Sequence, residues 1–457
     1  MLRTLVHAGV DIFRLNFSHG DWDTHARTIA RIREVESALD IPIGIMADLP
    51  GPKLRLSAHP TMESLENDGE VFFRVKGSPQ GDELEVDVPH VLSEVEPGHR
   101  ILLDDGALSL SVHEHTGGCV RCKVLKGGPL RPRIGVNLPD GKSVLPAVGK
   151  HDLALAQLAL DAGVDFIAVS FCESGDDLRS LRTELGPRGT DVHLVAKIER
   201  PLAVRNIEDI ISASDVILIA RGDLGVEMDV AEVPIIQKSI IKTSQQHGCP
   251  VIVATQMLQS MIDAPVPTRA EASDVANAIC DGTDAVMLSG ETAIGQHPVV
   301  SVETMDRIAR STESYSDHHK ARSSEYPKET TTSRWMPALA RGVWRMVEDM
   351  PVSAIALWTS SGESARTLAR EDIHAPILAF CDDIRVARQM QVLRGVQPCV
   401  VPLPSGHSDF REVVDTQLQR HPHAQAGDTC IVLAPSTFSN TAEPDVLELR
   451  PMIGHLE

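Results

Sequence analysis

The chain has 457 residues, 42% of them hydrophobic and 23% charged, which suits about three packed domains and argues against a disordered or fibrous protein. Its 64 acidic against 43 basic residues leave a net charge of −21, which argues against nucleic acid or an anionic membrane as the main partner. It has no apolar run of about 18 residues, polar residues (His7, Asp11, Arg14, His19) interrupt any signal-peptide core, and its eight cysteines are scattered, so a cytoplasmic protein with reduced thiols is expected.

Short apolar runs at 12–16, 43–48, 166–170, 193–199, 216–219, 251–255 and 285–288 read as strands. Several are preceded by a small residue and an Asp, as at Asp11, Asp165, Asp215 and Asp284. Their centres lie roughly 23–35 residues apart, the length of a βα unit, except for one gap of roughly 120. So many units in series predict a parallel sheet closing as a (β/α)8 TIM barrel, with a doubly wound sheet left open by periodicity alone. The barrel takes residues 1–57 and 146–322. The long gap predicts an inserted all-β lid over 58–145, with apolar or alternating stretches at 69–76, 83–88, 100–112 and 119–125 and a hairpin turn at Asp105-Gly106. A polar stretch at 323–332 predicts a linker. Strands near 353–358, 376–380, 398–402 and 429–433 predict a separate C-terminal α/β domain over 333–457.

Active sites of barrels lie at the C-terminal strand ends. Strand alternation puts Arg14, Asn16 and Ser18 on one face and Phe13, Leu15 and Phe17 on the other; Lys197 and Glu199 likewise share a face opposite Leu194, Ala196 and Ile198. A buried salt-bridge network is the plain reading of any one such set; polar groups ending five strands point to a site. Glu199 and Asp223 end consecutive strands, a pair suited to Mg2+ with waters and phosphate oxygens, and Lys197 beside them suits a phosphoryl group or an enolate. Arg221-Gly222-Asp223-Leu224-Gly225 opens a helix whose free N–H groups suit a carboxylate. Thr268-Arg269-Ala270-Glu271 reads as a structural capping box. Gly141-Lys142-Ser143 fails as a P-loop because Val136 stands where its first glycine belongs, and Cys119/Cys122 is a lone CxxC. The histidine pairs 113/115, 318/319 and 421/423 read as solvated.

RLNFSHG (14–20), DLPGPKLR (48–55), LLDDGALSL (102–110), GVNLP (135–139), AKIE (196–199), ARGDLGVE (220–227), ATQMLQSM (254–261), PTRAEASDVANA (267–278) and MLSGETA (287–293) occur in order, and with them the chain resembles the pyruvate kinases. The resemblance implies Mg2+-dependent transfer of the phosphoryl group of phosphoenolpyruvate to ADP, with Mn2+ as an alternative metal. It implies Glu199 and Asp223 as metal ligands, and Lys197 as stabiliser of the phosphoryl and enolate oxygens. Gly222, Asp223 and Thr255 would take the substrate carboxylate, and Arg14 its phosphate. Arg55, His19, Asp105 and Arg133 would meet the nucleotide, and Thr255, Ser289 and Glu291 would surround the enolate's proton source. Asn16, Ser18, Asp48 and the Leu49 carbonyl would form the monovalent-cation site, with the Lys53 ammonium in place of K+, so that K+ is not required. In the C-terminal domain Thr359, Ser360, Ser361, Gly362 and Ser364 resemble an effector-phosphate loop for a sugar phosphate or nucleotide, although Glu363 would repel it. The family's habit is a homotetramer. Its usual first strand, bearing T-x-G-P-x-S, has no counterpart here, so a barrel of seven strands is expected. A catalytically impaired paralogue with a binding role is the alternative reading.

Overall fold

The computed structural model describes residues 1–57, 62–75, 83–116, 118–140, 145–316, 335–371, 373–419, 428–439 and 443–451. The expected linker at 323–332, the lid's first boundary residue, Gly141-Lys142-Ser143 and the histidine pairs at 318/319 and 421/423 lie outside the described residues.

Seven parallel strands pair in chain order: β1 (Ile12–Asn16), β2 (Gly44–Asp48), β3 (Phe166–Val169), β4 (His193–Ile198), β5 (Val216–Ala220), β6 (Val251–Ala254) and β7 (Ala285–Met287). Helices follow the strands, as the βα rhythm requires, and β1 and β7 each pair on one side only among the described residues. Both faces are covered, which is why these strands read as continuous apolar runs. Ile45, Ile167, Leu194, Ala196, Ile217 and Val253 pack outward with the helices. Met46, Phe166, Val195, Leu218 and Ile252 form a second cluster, each contributing about 2 kcal/mol of burial.

That second cluster continues into the C-terminal domain through Met336, Leu368, Met390 and Leu433. The domain is a five-stranded sheet of β8 (Ala354–Trp358), β9 (Ile377–Cys381), β10 (Val396–Val400), β11 (Thr429–Ala434) and β12 (Val446–Pro451), ordered β10-β9-β8-β11-β12. Only β12 runs antiparallel, and it is a strand that the sequence pattern missed.

The recurring Asp before a strand now has a physical reason. Asp165 accepts the N–H of Ile45 at 2.8 Å, Asp215 that of Leu194 at 2.7 Å, and Asp284 that of Val251 at 2.8 Å. Each carboxylate thus satisfies a backbone donor at or next to the start of the preceding strand, on the barrel floor. Arginines complete this layer. Arg33 reaches Asp165 at 2.6 Å, and Arg388 of the C-terminal domain binds Glu36 through Nε (2.8 Å) and Nη2 (2.5 Å). A cleft of about 1150 Å³ between barrel and C-terminal domain opens beside Arg33 and Arg388.

The lid is an antiparallel sheet whose strands run in the order 54–55, 135–137, 100–103, 108–116, 119–126 and 70–74. Its tightest turn has Asp104 and Asp105 at φ 52° and 51° and Gly106 at 80°. Residues 83–88, expected as a strand, make only the isolated bridges Phe73–Leu84 and Leu56–Val86. Leu84 and Val86 are buried, which supplies a two-residue period without a continuous ladder. No helix among the described residues is long and apolar enough to cross a membrane.

Candidate active site

The C-terminal rim of the barrel gathers charge in a nearly dry setting. Lys197 Nζ lies 2.8 Å from Glu199 Oε1 and 3.3 Å from Asp48 Oδ1, and it donates to Ser170 Oγ at 2.7 Å. The side chains of Lys197, Glu199 and Asp48 are 11%, 1% and 2% exposed. Parallel register places Asn16 of β1 opposite Asp48 of β2, and the Asp48 carboxylate accepts Arg14 Nε at 2.6 Å. The Ser170 hydroxyl donates to the Leu49 carbonyl at 2.8 Å. The other Glu199 oxygen accepts the Phe171 N–H at 2.7 Å.

Electrostatics oppose burial here. Burial alone would favour a neutral Lys197, but the Glu199 and Asp48 carboxylates outweigh it and hold the ammonium above its ordinary value. Burial pushes Glu199 up, the Lys197 charge pulls it down, and Asp223 pushes it up again. Asp223 sits in the first turn of the helix Arg221–Glu227, which follows β5 directly. It makes no hydrogen bond or ion pair with the described residues, yet its charge raises both Glu199 and Glu227.

Two carboxylates repelling across adjacent strand ends are hard oxygen donors, one of them paired with Lys197 and the other without a hydrogen bond or ion pair among the described residues. Among the described residues no group of three or more His, Cys, Asp or Glu could form a metal centre. A two-carboxylate site completed by water and substrate oxygens is the arrangement Mg2+ tolerates, so the residues present fit that ion.

The neighbouring loops are fixed by strained backbone. Phe171, Thr255 and Gln256 are non-glycine residues with φ of 55°, 67° and 55°, all just beyond strand ends. Thr255 Oγ1 accepts the Gly222 N–H at 2.7 Å and donates to the Ala254 carbonyl at 2.6 Å. The Gly222 amide, expected to be open to a substrate carboxylate, is therefore already engaged. Glu291 is 1% exposed and accepts the N–H groups of Leu258 and Ser289 at 3.1 and 2.8 Å. Thr268 and Glu271 form the capping box of the helix Arg269–Asp281, as their spacing indicates.

Other expected residues have contacts of their own. The Lys53 amine lies 4.0 Å from Asp105 of the lid turn. Asn16 Oδ1 accepts the Ser18 N–H at 3.1 Å. Arg55 donates to the Arg133 carbonyl at 3.0 Å, which joins two of the expected nucleotide contacts at the lid base. His19 is exposed, its carbonyl 2.8 Å from the His25 ring nitrogen. In the C-terminal loop, Thr359 Oγ1 accepts the Gly362 N–H at 3.0 Å and Ser361 Oγ that of Glu363 at 3.4 Å, while Ser364 is buried and Ser360 stands between Thr359 and Ser361.

Several participants escaped the sequence reading. Ser170 ends the β3 pattern as Lys197 nearly ends that of β4, and the same alternation would have found it. Phe171 acts through its backbone, which carries no side-chain signal.

The residues 1–302 match the family model for the pyruvate kinase barrel domain, and residues 337–448 match the one for the pyruvate kinase alpha/beta domain. The pyruvate kinase of Mycobacterium tuberculosis is 36% identical over 447 residues, covering 96% of this chain and 93% of the relative. That of Corynebacterium glutamicum is 37% identical over 453 residues (98% and 93%), and that of Methylorubrum extorquens 39% over 443 (96% and 91%). With barrel, inserted sheet and C-terminal domain in the same chain order, the protein belongs to the pyruvate kinase family of phosphotransferases.

Proposed function

We propose that the chain catalyses the last step of glycolysis in the cytoplasm, moving the phosphoryl group of phosphoenolpyruvate to ADP to give pyruvate and ATP. One observation carries the reading: the buried Lys197 ammonium clamped between Asp48 and Glu199, whose charge Asp223, without a partner among the described residues, opposes. Glu199 and Asp223 would hold Mg2+, or Mn2+ in its place, whose chemistry when bound is to place a divalent charge against phosphoryl and enolate oxygens.

The protein's own groups do the rest. Arg14, oriented by Asp48, presents its remaining N–H donors to the migrating phosphoryl. An oxygen of the ADP β-phosphate bonds to phosphorus as the bond to the enol oxygen breaks, leaving an enolate. Lys197 keeps its charge throughout and so stabilises that enolate without surrendering a proton. The methylene carbon then takes a proton from water held near Thr255, Ser289 and Glu291. The amides of Gly222 and Asp223, with the Thr255 hydroxyl, take the substrate carboxylate, the Gly222 N–H giving up its contact with Thr255 Oγ1. Arg55, Arg133 and His19 hold the nucleotide, and Asp105 meets it as the lid excludes water.

The reaction runs without K+ in this reading. Arg14 and Lys197 already neutralise Asp48, and Ser170 already occupies the Leu49 carbonyl. A homotetramer with a sugar-phosphate or nucleotide effector at the loop Thr359–Ser364 completes the proposal. Purified protein given phosphoenolpyruvate, ADP and Mg2+ is expected to release pyruvate, followed by coupled lactate dehydrogenase. No pyruvate from the parent chain would favour the catalytically impaired paralogue instead.

A further inference from the structure

Behind the metal-binding carboxylate lies a second layer of charge. Arg200 follows Glu199 directly. Its Nη1 is 2.6 Å from Glu173 Oε1, and its guanidinium carbon lies 5.1 Å from the centre of the Phe171 ring. Phe171 is also confined from the other side, since a Cβ on Gly51 (φ 68°) would come within 3.0 Å of its ring. It is the N–H of this strained residue that donates to Glu199 Oε2.

A lid contact reaches the same arginine. Asn137, on the lid strand 135–137, donates to Glu227 Oε1 at 2.9 Å, and that oxygen lies 3.9 Å from Arg200 Nε. Glu227 is 2% exposed and ends the seven-residue helix that carries Asp223. Its Oε2 and Arg200 Nε are buried without a hydrogen-bond partner among the described residues. These opposite charges lie in ion-pair range without a hydrogen bond between them.

We propose that Arg200 and Glu227 are positioning residues that couple the lid to the metal site. Arg200 holds Phe171 so that its N–H fixes the Glu199 carboxylate, and Glu227 joins that arrangement to Asn137 of the lid. This rests on the reading of Glu199 and Asp223 as metal ligands. Groups that orient a metal ligand are commonly worth about 10–100-fold in metal affinity.

The test is Mn2+ binding to the purified full chain without substrates, read by the electron paramagnetic resonance of free Mn2+, alongside steady-state kinetics. Arg200→Ala should weaken Mn2+ binding about tenfold. Arg200→Lys, which keeps the charge at Glu173 without the flat stack, should recover part of that loss. Asn137→Ala should leave binary Mn2+ binding unchanged while lowering kcat, because only the lid connection is cut. Glu199→Gln should weaken Mn2+ binding more than any of these. Parent-like Mn2+ affinity in both Arg200 variants, with Glu199→Gln impaired, overturns the positioning role and leaves the metal site standing. Parent-like affinity in Glu199→Gln overturns the metal site and the positioning role with it.

Discussion

Carboxylates stand at both ends of the barrel strands, in opposite conditions. On the floor, Asp165, Asp215 and Asp284 each accept a backbone N–H, and Asp165 and Asp215 also meet arginines at 2.6 and 2.5 Å. At the rim, Asp223 has no hydrogen bond or ion pair among the described residues, and one oxygen of Glu227 is buried without a partner. The floor groups have completed their interactions within the chain. At the rim Glu199 is likewise engaged, by Lys197 and the Phe171 N–H, but the half-buried Asp223 and one Glu227 oxygen are not, and burying charge without full satisfaction costs stability that a ligand can restore. The same residue type therefore marks architecture at one end and chemistry at the other.

The strongest test of that contrast is at the rim. Glu199→Gln should lower pyruvate formation about a thousandfold, because an amide cannot both pair with the Lys197 ammonium and accept the Phe171 N–H. A variant that turned over within tenfold of the parent would break the contrast.

The mirror experiment is on the floor. Asp165→Ala takes one of several partners from Arg33 and the carboxylate acceptor from the Ile45 N–H, and should destabilise the protein by about 3 kcal/mol, measured by urea unfolding. Its kcat per folded molecule should stay within about twofold of the parent.

A smaller effect is expected from acid. Burial pushes the Asp284 carboxyl up to about 6, against the pull of the Val251 and Arg394 amides. A raised value means that the fold prefers the protonated acid, so this contribution is complete below about pH 4 and lost as pH rises through about 6. Asp284→Asn should therefore flatten the pH dependence of stability between pH 4 and 7, by on the order of 2 kcal/mol. Parallel melting curves for parent and variant would contradict this. The smallest expectation is no change at all: added KCl should leave turnover unaltered at constant ionic strength, and a severalfold rise would restore a cation to Asn16, Ser18, Asp48 and Leu49.

The barrel was legible because parallel strands buried on both faces leave unmistakable apolar runs, and because Lys197 and Glu199 break one of them on a single face. The β12 strand was missed since it is an antiparallel edge with half-exposed residues and no such run. What the Lys53 amine meets depends on the path of the loop after Gly51, which local sequence does not encode. Asn137 and Glu227 meet across 90 positions of chain, so no spacing rule could join them.

The cluster shared by the barrel lining and the C-terminal domain has a consequence for synthesis. Met46, Phe166 and Val195 leave the ribosome well before Met390 and Leu433, the groups that help to shield them. Until those late residues clear the exit tunnel, the nascent barrel has an oily throat open to water, and chaperone capture or self-association competes with completion at that stage.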